Sequence, residues 1–179
     1  MRSSPGKLIL YSVILLIFIL LKWAGTMFSA DDLRWLTAPV VFFIERIKGE
    51  YAVFMPGAGH FFPNSGIIID KSCAGINFFI LCAALLQILV VKYFHRIRYQ
   101  IIGLAAAFLV SYFLTVTVST ARIVSSLITR ELADRWLSDS LAGRVHEATG
   151  VTVVFTSLIL IYISVDYFLK RKLNHEENC

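Results

Sequence analysis

Charge is scarce in this chain. Asp, Glu, Lys and Arg make up 16% of its 179 residues, 58% are hydrophobic, and the mean hydropathy is +0.74. Soluble domains carry about 25% charged residues, so the composition excludes an ordinary soluble domain and points to membrane embedding. Cysteine is scarce as well. The three present, Cys73, Cys82 and Cys179, form no CxxC pair and no spaced ladder, which argues against both a disulfide framework and a thiol–disulfide relay. No HExxH or paired-ligand spacing occurs. A zinc site from Cys73, His146 and His60 therefore has no motif behind it, and no metal or cofactor is expected. Internal repeats and low-complexity tracts are also missing, and the length allows one domain, residues 1–179.

The net charge of +5 sits at the ends of apolar runs rather than along one polar face. That is a pattern of membrane topology, so no nucleic-acid partner is expected. Four runs, at about 8–28, 74–92, 100–121 and 149–169, are long enough for a hydrocarbon core of roughly 30 Å at about 1.5 Å per residue. The first follows Arg2 and Lys7, as a signal peptide would. It is long, it continues into Lys22-Trp23, and it lacks a small-x-small cleavage site, so it reads as a retained span. "LRWLTAPVVFFIERI", residues 33–47, has a short apolar stretch, contains Pro39 and ends in Glu45-Arg46; it reads as an interfacial or re-entrant helix. "YAVFMPGAGHFFPNSGIIID" is broken by Pro-Gly and Pro-Asn-Ser-Gly and reads as short strands with turns. The expected fold class is all-α integral membrane, with about four transmembrane helices, that short helix, and a small extracytoplasmic β-hairpin-like loop. Lys and Arg set the orientation. Arg2, Lys7, the 92–99 loop and the 170–172 cluster fall inside, both termini are cytoplasmic, and 29–75 and 123–149 lie outside the cytoplasmic (inner) membrane.

This topology serves as a ruler. Counting back from Lys92 puts Cys73 roughly 28 Å higher, near the outer hydrocarbon edge. Counting from Gln100 puts Arg122 at roughly 33 Å, and counting back from Lys170 puts His146 at roughly 36 Å if the helix continues. Each residue has an ordinary reading on its own: small-residue packing for Cys73, headgroup snorkelling for Arg122, helix capping or an interfacial position for His146. Together they suit acyl transfer. A thiolate attacks, a nearby cation or imidazole activates it, a histidine protonates the departing amine, and an arginine offers donors to an oxyanion. Glu147 orients His146 or caps a helix. His60 and His95 lie away from that layer, and Asp70 and Lys71 read as interfacial charges. Asn77, one helical turn after Cys73, either supports the site or joins two helices. Cys82 is packing.

"SCAGINFFI" around Cys73, "STARIVSSL" around Arg122 and "GRVHEATG" around His146 resemble, in order and on successive spans, the three signature blocks of the exosortase/archaeosortase family. The lead-in "MPGAGHFFPNSGIIIDKSCAGINF" looks most like the compact exosortase K branch, and the resemblance covers a core of about 35–165. It implies a membrane cysteine protease or transpeptidase. Its partners would be secreted proteins ending in a short motif, a transmembrane helix and a basic cluster, besides the membrane lipids. It would cut them through a thioester and pass them to a cell-envelope acceptor. On that resemblance Cys73 is the nucleophile, His146 the acid/base, and Arg122 the oxyanion or substrate-positioning group. One departure is Ser119, where many members carry Asn three residues before the arginine. The alternatives are a non-catalytic multi-span scaffold for envelope assembly and a quinone-linked thiol oxidoreductase, the latter opposed by the missing cysteine pair.

Overall fold

The computed structural model describes the backbone of residues 5–94, 96–136 and 139–177, and the side chains of 6–94, 96–129 and 148–172. In chain order the elements are α1 (Pro5–Met27), α2 (Arg34–Lys48), β1 (Val53–Met55), β2 (Gly59–Phe62), β3 (Ile67–Ile69), α3 (Ile76–Tyr93), α4 (Ile97–Trp136) and α5 (Asp139–Glu177). Four stretches among the described residues, 6–27, 76–93, 97–129 and 148–172, are long and apolar enough to cross a membrane. The chain is thus a mostly helical, multi-pass membrane protein. α3 is the central helix and packs against α1, α4 and α5. The outward faces of α1, α4 and α5 expose Leu, Ile, Val and Phe, as lipid contact requires.

Three boundaries differ from the sequence expectation. The second span begins at Ile76, because Gly75 takes a left-handed φ of +72° just before it. Cys73 therefore lies in a turn, and helical periodicity does not relate it to Asn77. The third span is part of a 40-residue helix that continues to Trp136. Its hydroxyls at Ser111, Thr115, Thr117, Thr120, Ser126 and Thr129 donate to carbonyls of their own helix, so the polar stretch stays helical. The helix that carries the fourth span begins at Asp139, which puts the backbone of His146 within α5. The side chains of His146 and Glu147 lie outside the described residues, as do His95 and Cys179.

α2 is a 15-residue helix that buries Leu36, Thr37, Val40, Val41 and Ile44 on one stripe and exposes Phe42, Phe43 and Ile47 elsewhere. Pro39 supplies no N–H to the Trp35 carbonyl four residues earlier. The hydroxyl of Tyr112 on α4 donates to that carbonyl instead, at 3.2 Å, while the Tyr112 and Trp35 rings stack at 5.7 Å. The loop after α2 is a three-stranded antiparallel sheet in the order β1-β2-β3, one strand more than a hairpin. Glu50 ties its second turn together by accepting from the N–H groups of Asn64 and Ser65 and from the Ser65 hydroxyl. The Ser65 hydroxyl is the main reason the Glu50 carboxyl is held below its ordinary pKa.

The sheet and α2 close over α4 through Leu33, Leu36, Val40, Ile44, Phe62 and Ile69, each no more than 1% exposed. Removal from water is worth about 1.5–3 kcal/mol for each such side chain. Between the spans lipid is as apolar as leucine, so close packing and polar contacts matter more. Gly103 makes room for Val90, whose Cγ1 a Cβ there would crowd at 2.7 Å. At the far end from the sheet, Asp166 accepts from Lys92 Nζ at 2.9 Å, Tyr93 Oη at 2.6 Å and Lys170 Nζ at 2.7 Å, fastening α5 to α3. The bundle has a basic end and a sheet end, and Cys73 belongs to the sheet end.

Candidate functional site at the Cys73 turn

The turn before α3 is built by one aspartate. Asp70 Oδ1 accepts from the N–H of Ser72 at 2.9 Å, the Ser72 hydroxyl at 2.6 Å and the N–H of Cys73 at 3.3 Å. The Asp70 carbonyl also accepts from Cys73 N at 3.1 Å. This is the local turn chemistry that Asp favours, and it holds Cys73 clear of the helix. The thiol is half-buried. Its Sγ lies 3.9 Å from Ser72 Oγ, and the side chain packs on the apolar cluster under the sheet.

Arg122, on α4, reaches this turn from the side. Its Nη2 donates to the carbonyl of Ser72 at 3.0 Å. Gly150 of α5 lies over the stem of the same arginine, with a Cβ position 3.6 Å from Arg122 Cδ. A Cβ at 150 would meet the stem at ordinary van der Waals distance. The structure thus brings Arg122 to the residue next to Cys73 and brings α5 alongside both. His146 is one helical turn before Gly150 on α5, and its side chain is outside the described residues.

A cavity of about 100 Å³ opens beside the turn. Lys71, Ser72, Asn77, Ser119 and Arg122 form its polar side, and Ile76, Phe78, Val118 and Val154 its apolar side. Gly75 is required here for two reasons. Its φ of +72° suits glycine, and a Cβ would collide with Ser119 Oγ. Asn77 accepts from Lys22 Nζ at 2.6 Å, which joins α3 to α1. Of its two sequence readings, joining helices is the one the contact favours.

His60 sits on β2, 8% exposed, with Nε2 unpartnered and the Phe54 ring 5.0 Å away. Arg34 lies over the other partner of that contact, its Cζ 4.4 Å from the Phe54 centroid. Burial first, and the charge of Arg34 second, lower the His60 pKa. His60 belongs to the sheet rather than to the Cys73 turn. No group of three His, Cys, Asp or Glu side chains that could hold a metal ion occurs among the described residues. Cys82 is fully buried in α3, in a packing position.

Sequence reasoning missed three of these residues. Asp70 organises the turn, and its signal was an Asp two residues before a Ser. Lys22 is a lysine inside an apolar run, itself a flag. Ser119 stood out only as a departure from a family pattern. No family model, no curated protein and no solved structure matches this chain. The site's chemistry therefore rests on its own residues.

Proposed function

We propose that this protein is a membrane cysteine peptidase or transpeptidase. It acts outside the cytoplasmic membrane on secreted proteins held there by a C-terminal tail of motif, span and basic cluster. The observation that carries this reading is the Arg122–Ser72 hydrogen bond at 3.0 Å. It sets a permanent cation one residue from Cys73, beside a polar cavity, at the end of helices that are otherwise apolar. The three resembling sequence blocks support the same reading.

The thiolate of Cys73 attacks a backbone carbonyl of the tail. The C–N bond breaks, the amine leaves with a proton, and the acyl group stays on sulfur as a thioester. An acceptor nucleophile of the cell envelope, or water, then takes the acyl group and releases the thiol. Arg122 stabilises the developing oxyanion or positions the carbonyl, since its guanidinium stays charged and offers fixed donors. His146 takes the acid/base role by its sequence block and by its place on α5, one turn before the glycine that covers Arg122. Orientation follows the excess of Lys and Arg at the basic end, with both termini cytoplasmic.

The test is co-expression with a tailed secreted protein from the same cell. A thioester adduct on Cys73, seen by mass spectrometry, and loss of processing in Cys73→Ala at unchanged protein level are the expected results. Normal processing by Cys73→Ala would sink the proposal. One observation favours the second reading, a non-catalytic envelope-assembly scaffold: the Cys73 side chain packs on the apolar cluster under the sheet. A scaffold predicts that Cys73, Arg122 and His146 are each replaceable.

A further inference from the structure

We infer that the cavity beside the Cys73 turn is an oxyanion site in which the Ser119 hydroxyl and the free N–H groups that begin α3 receive the oxygen of the carbonyl under attack. This rests on the proposed nucleophilic role of Cys73, and it adds donors to which the resemblance gives no role.

The first observation is an unused hydroxyl. α4 buries four hydroxyl side chains among the described residues: Ser111, Thr115, Ser119 and Ser126. Three of them donate to carbonyls of their own helix. Ser119, 3% exposed, has no hydrogen bond among the described residues. A serine in a helix usually bonds back to its own backbone, and this one does not. The Ser119 side chain instead turns toward Gly75 and lines the cavity.

The second observation is an uncapped helix start. The first backbone bond of α3 runs from Phe79 N to the Gly75 carbonyl, and no side chain caps the helix. The N–H groups of Ile76, Asn77 and Phe78 have no partner among the described residues, and all three residues line the cavity. Such a helix start offers N–H donors and a partial positive charge to an anion. Arg122 and Lys71 add full positive charge to the same walls.

The third observation is position. Ser72 and Gly75, on either side of Cys73, both line the cavity, while the Cys73 side chain itself packs on the apolar cluster, so that side chain must turn toward the cavity when it carries an acyl group. In the step itself the sulfur–carbon bond forms and the carbonyl π pair moves to oxygen. The oxyanion is held by Ser119, the α3 N–H groups and Arg122. The carbonyl re-forms as the leaving group departs with its bonding pair. Gly75 then has a functional reason, since a side chain there would displace Ser119.

An acyl-transfer probe and an alkylating probe separate this role from a structural one. p-Nitrophenyl acetate acetylates a thiolate through an oxyanion and expels p-nitrophenolate. Iodoacetamide alkylates the same thiolate by displacing iodide at a saturated carbon, with no oxyanion. Both single-turnover rates are read on the Cys73 peptide by mass spectrometry, using the full chain in detergent micelles. Ser119→Ala lowers the acetylation rate by about 10²-fold and leaves alkylation unchanged. Ser119→Thr, which keeps the donor, retains acetylation. Ser111→Ala, which removes an equally buried hydroxyl already bonded to Ala107, leaves both rates as they were. Wild-type acetylation in Ser119→Ala, or equal loss of both rates, overturns the inference while Cys73 stays a nucleophile. A wild-type Cys73 that is acetylated no faster than free cysteine overturns the nucleophile reading and this inference with it.

Discussion

Arg122 Nη2 lies 3.0 Å from the carbonyl of Ser72, across 50 residues of sequence. That bond runs from α4 to the turn before α3 and ends one residue from Cys73. A snorkelling arginine would point its head to the lipid surface. This one is half-buried, turned inward, and covered along its stem by α5 at Gly150.

The planar fork is what this place uses. One N–H group holds the Ser72 carbonyl, and the Arg122 side chain also lines the cavity. Lysine keeps the charge and loses the fork. Arg122→Ala should lower acetylation of Cys73 by p-nitrophenyl acetate about 10²-fold, and Arg122→Lys should recover only part of that loss. Rates measured by the same peptide readout decide it. An Arg122→Ala chain that acetylates at the wild-type rate would return the residue to an interfacial role.

The sheet carries a pH-dependent element in His60. Its pKa is lowered in the folded protein, first by burial and second by Arg34, with Glu45 pulling the other way. The unfolded segment titrates near the ordinary value of 6.5. Below that pH the open sheet binds a proton that the closed sheet resists, so the unfolded form holds more protons and stability falls with acid. Above it His60 is neutral in both states and the effect vanishes. Protection factors of the amides in residues 53–69, corrected for the intrinsic pH dependence of exchange, should fall as pH drops below 6.5, and His60→Phe should flatten that response. An unchanged pH profile in His60→Phe would show that another group is responsible.

The spans were legible because length and apolarity alone define them, and the four long apolar runs became four long helices. α2 was legible as a short, separate helix for the same reason. The geometry at Cys73 was not. The residues from Cys73 to Asn77 read as one helical turn, because the apolar pattern carries no sign of a left-handed Gly75 and the Asp70-x-Ser72 turn signal is short enough to be read as interfacial charge. The helical course of "STARIVSSLITR", residues 119–130, was legible as a polar-tinged continuation of the third span, but not that the Thr120, Ser126 and Thr129 hydroxyls bond back to the helix. Ser119 escaped for the opposite reason. A sequence lists a hydroxyl but does not say which one is left unbonded.

Pro39 and Tyr112 make a coupled pair that stability measurements can isolate. Pro39 cannot donate to the Trp35 carbonyl, and the Tyr112 hydroxyl does so at 3.2 Å. Tyr112→Phe removes that donor and keeps the ring stacked on Trp35, so it should cost about 0.5–1.5 kcal/mol, the worth of one hydrogen bond. Pro39→Ala supplies the missing backbone N–H from within α2. In that background the Trp35 carbonyl has a helical partner, and Tyr112→Phe should cost close to nothing. The interaction energy of the double-mutant cycle, taken from unfolding in detergent, should therefore be near the whole cost of the single Tyr112 change. Additive effects would mean that the proline and the tyrosine are neighbours without being partners, and that α2 is held to α4 by the ring stack and the apolar cluster alone.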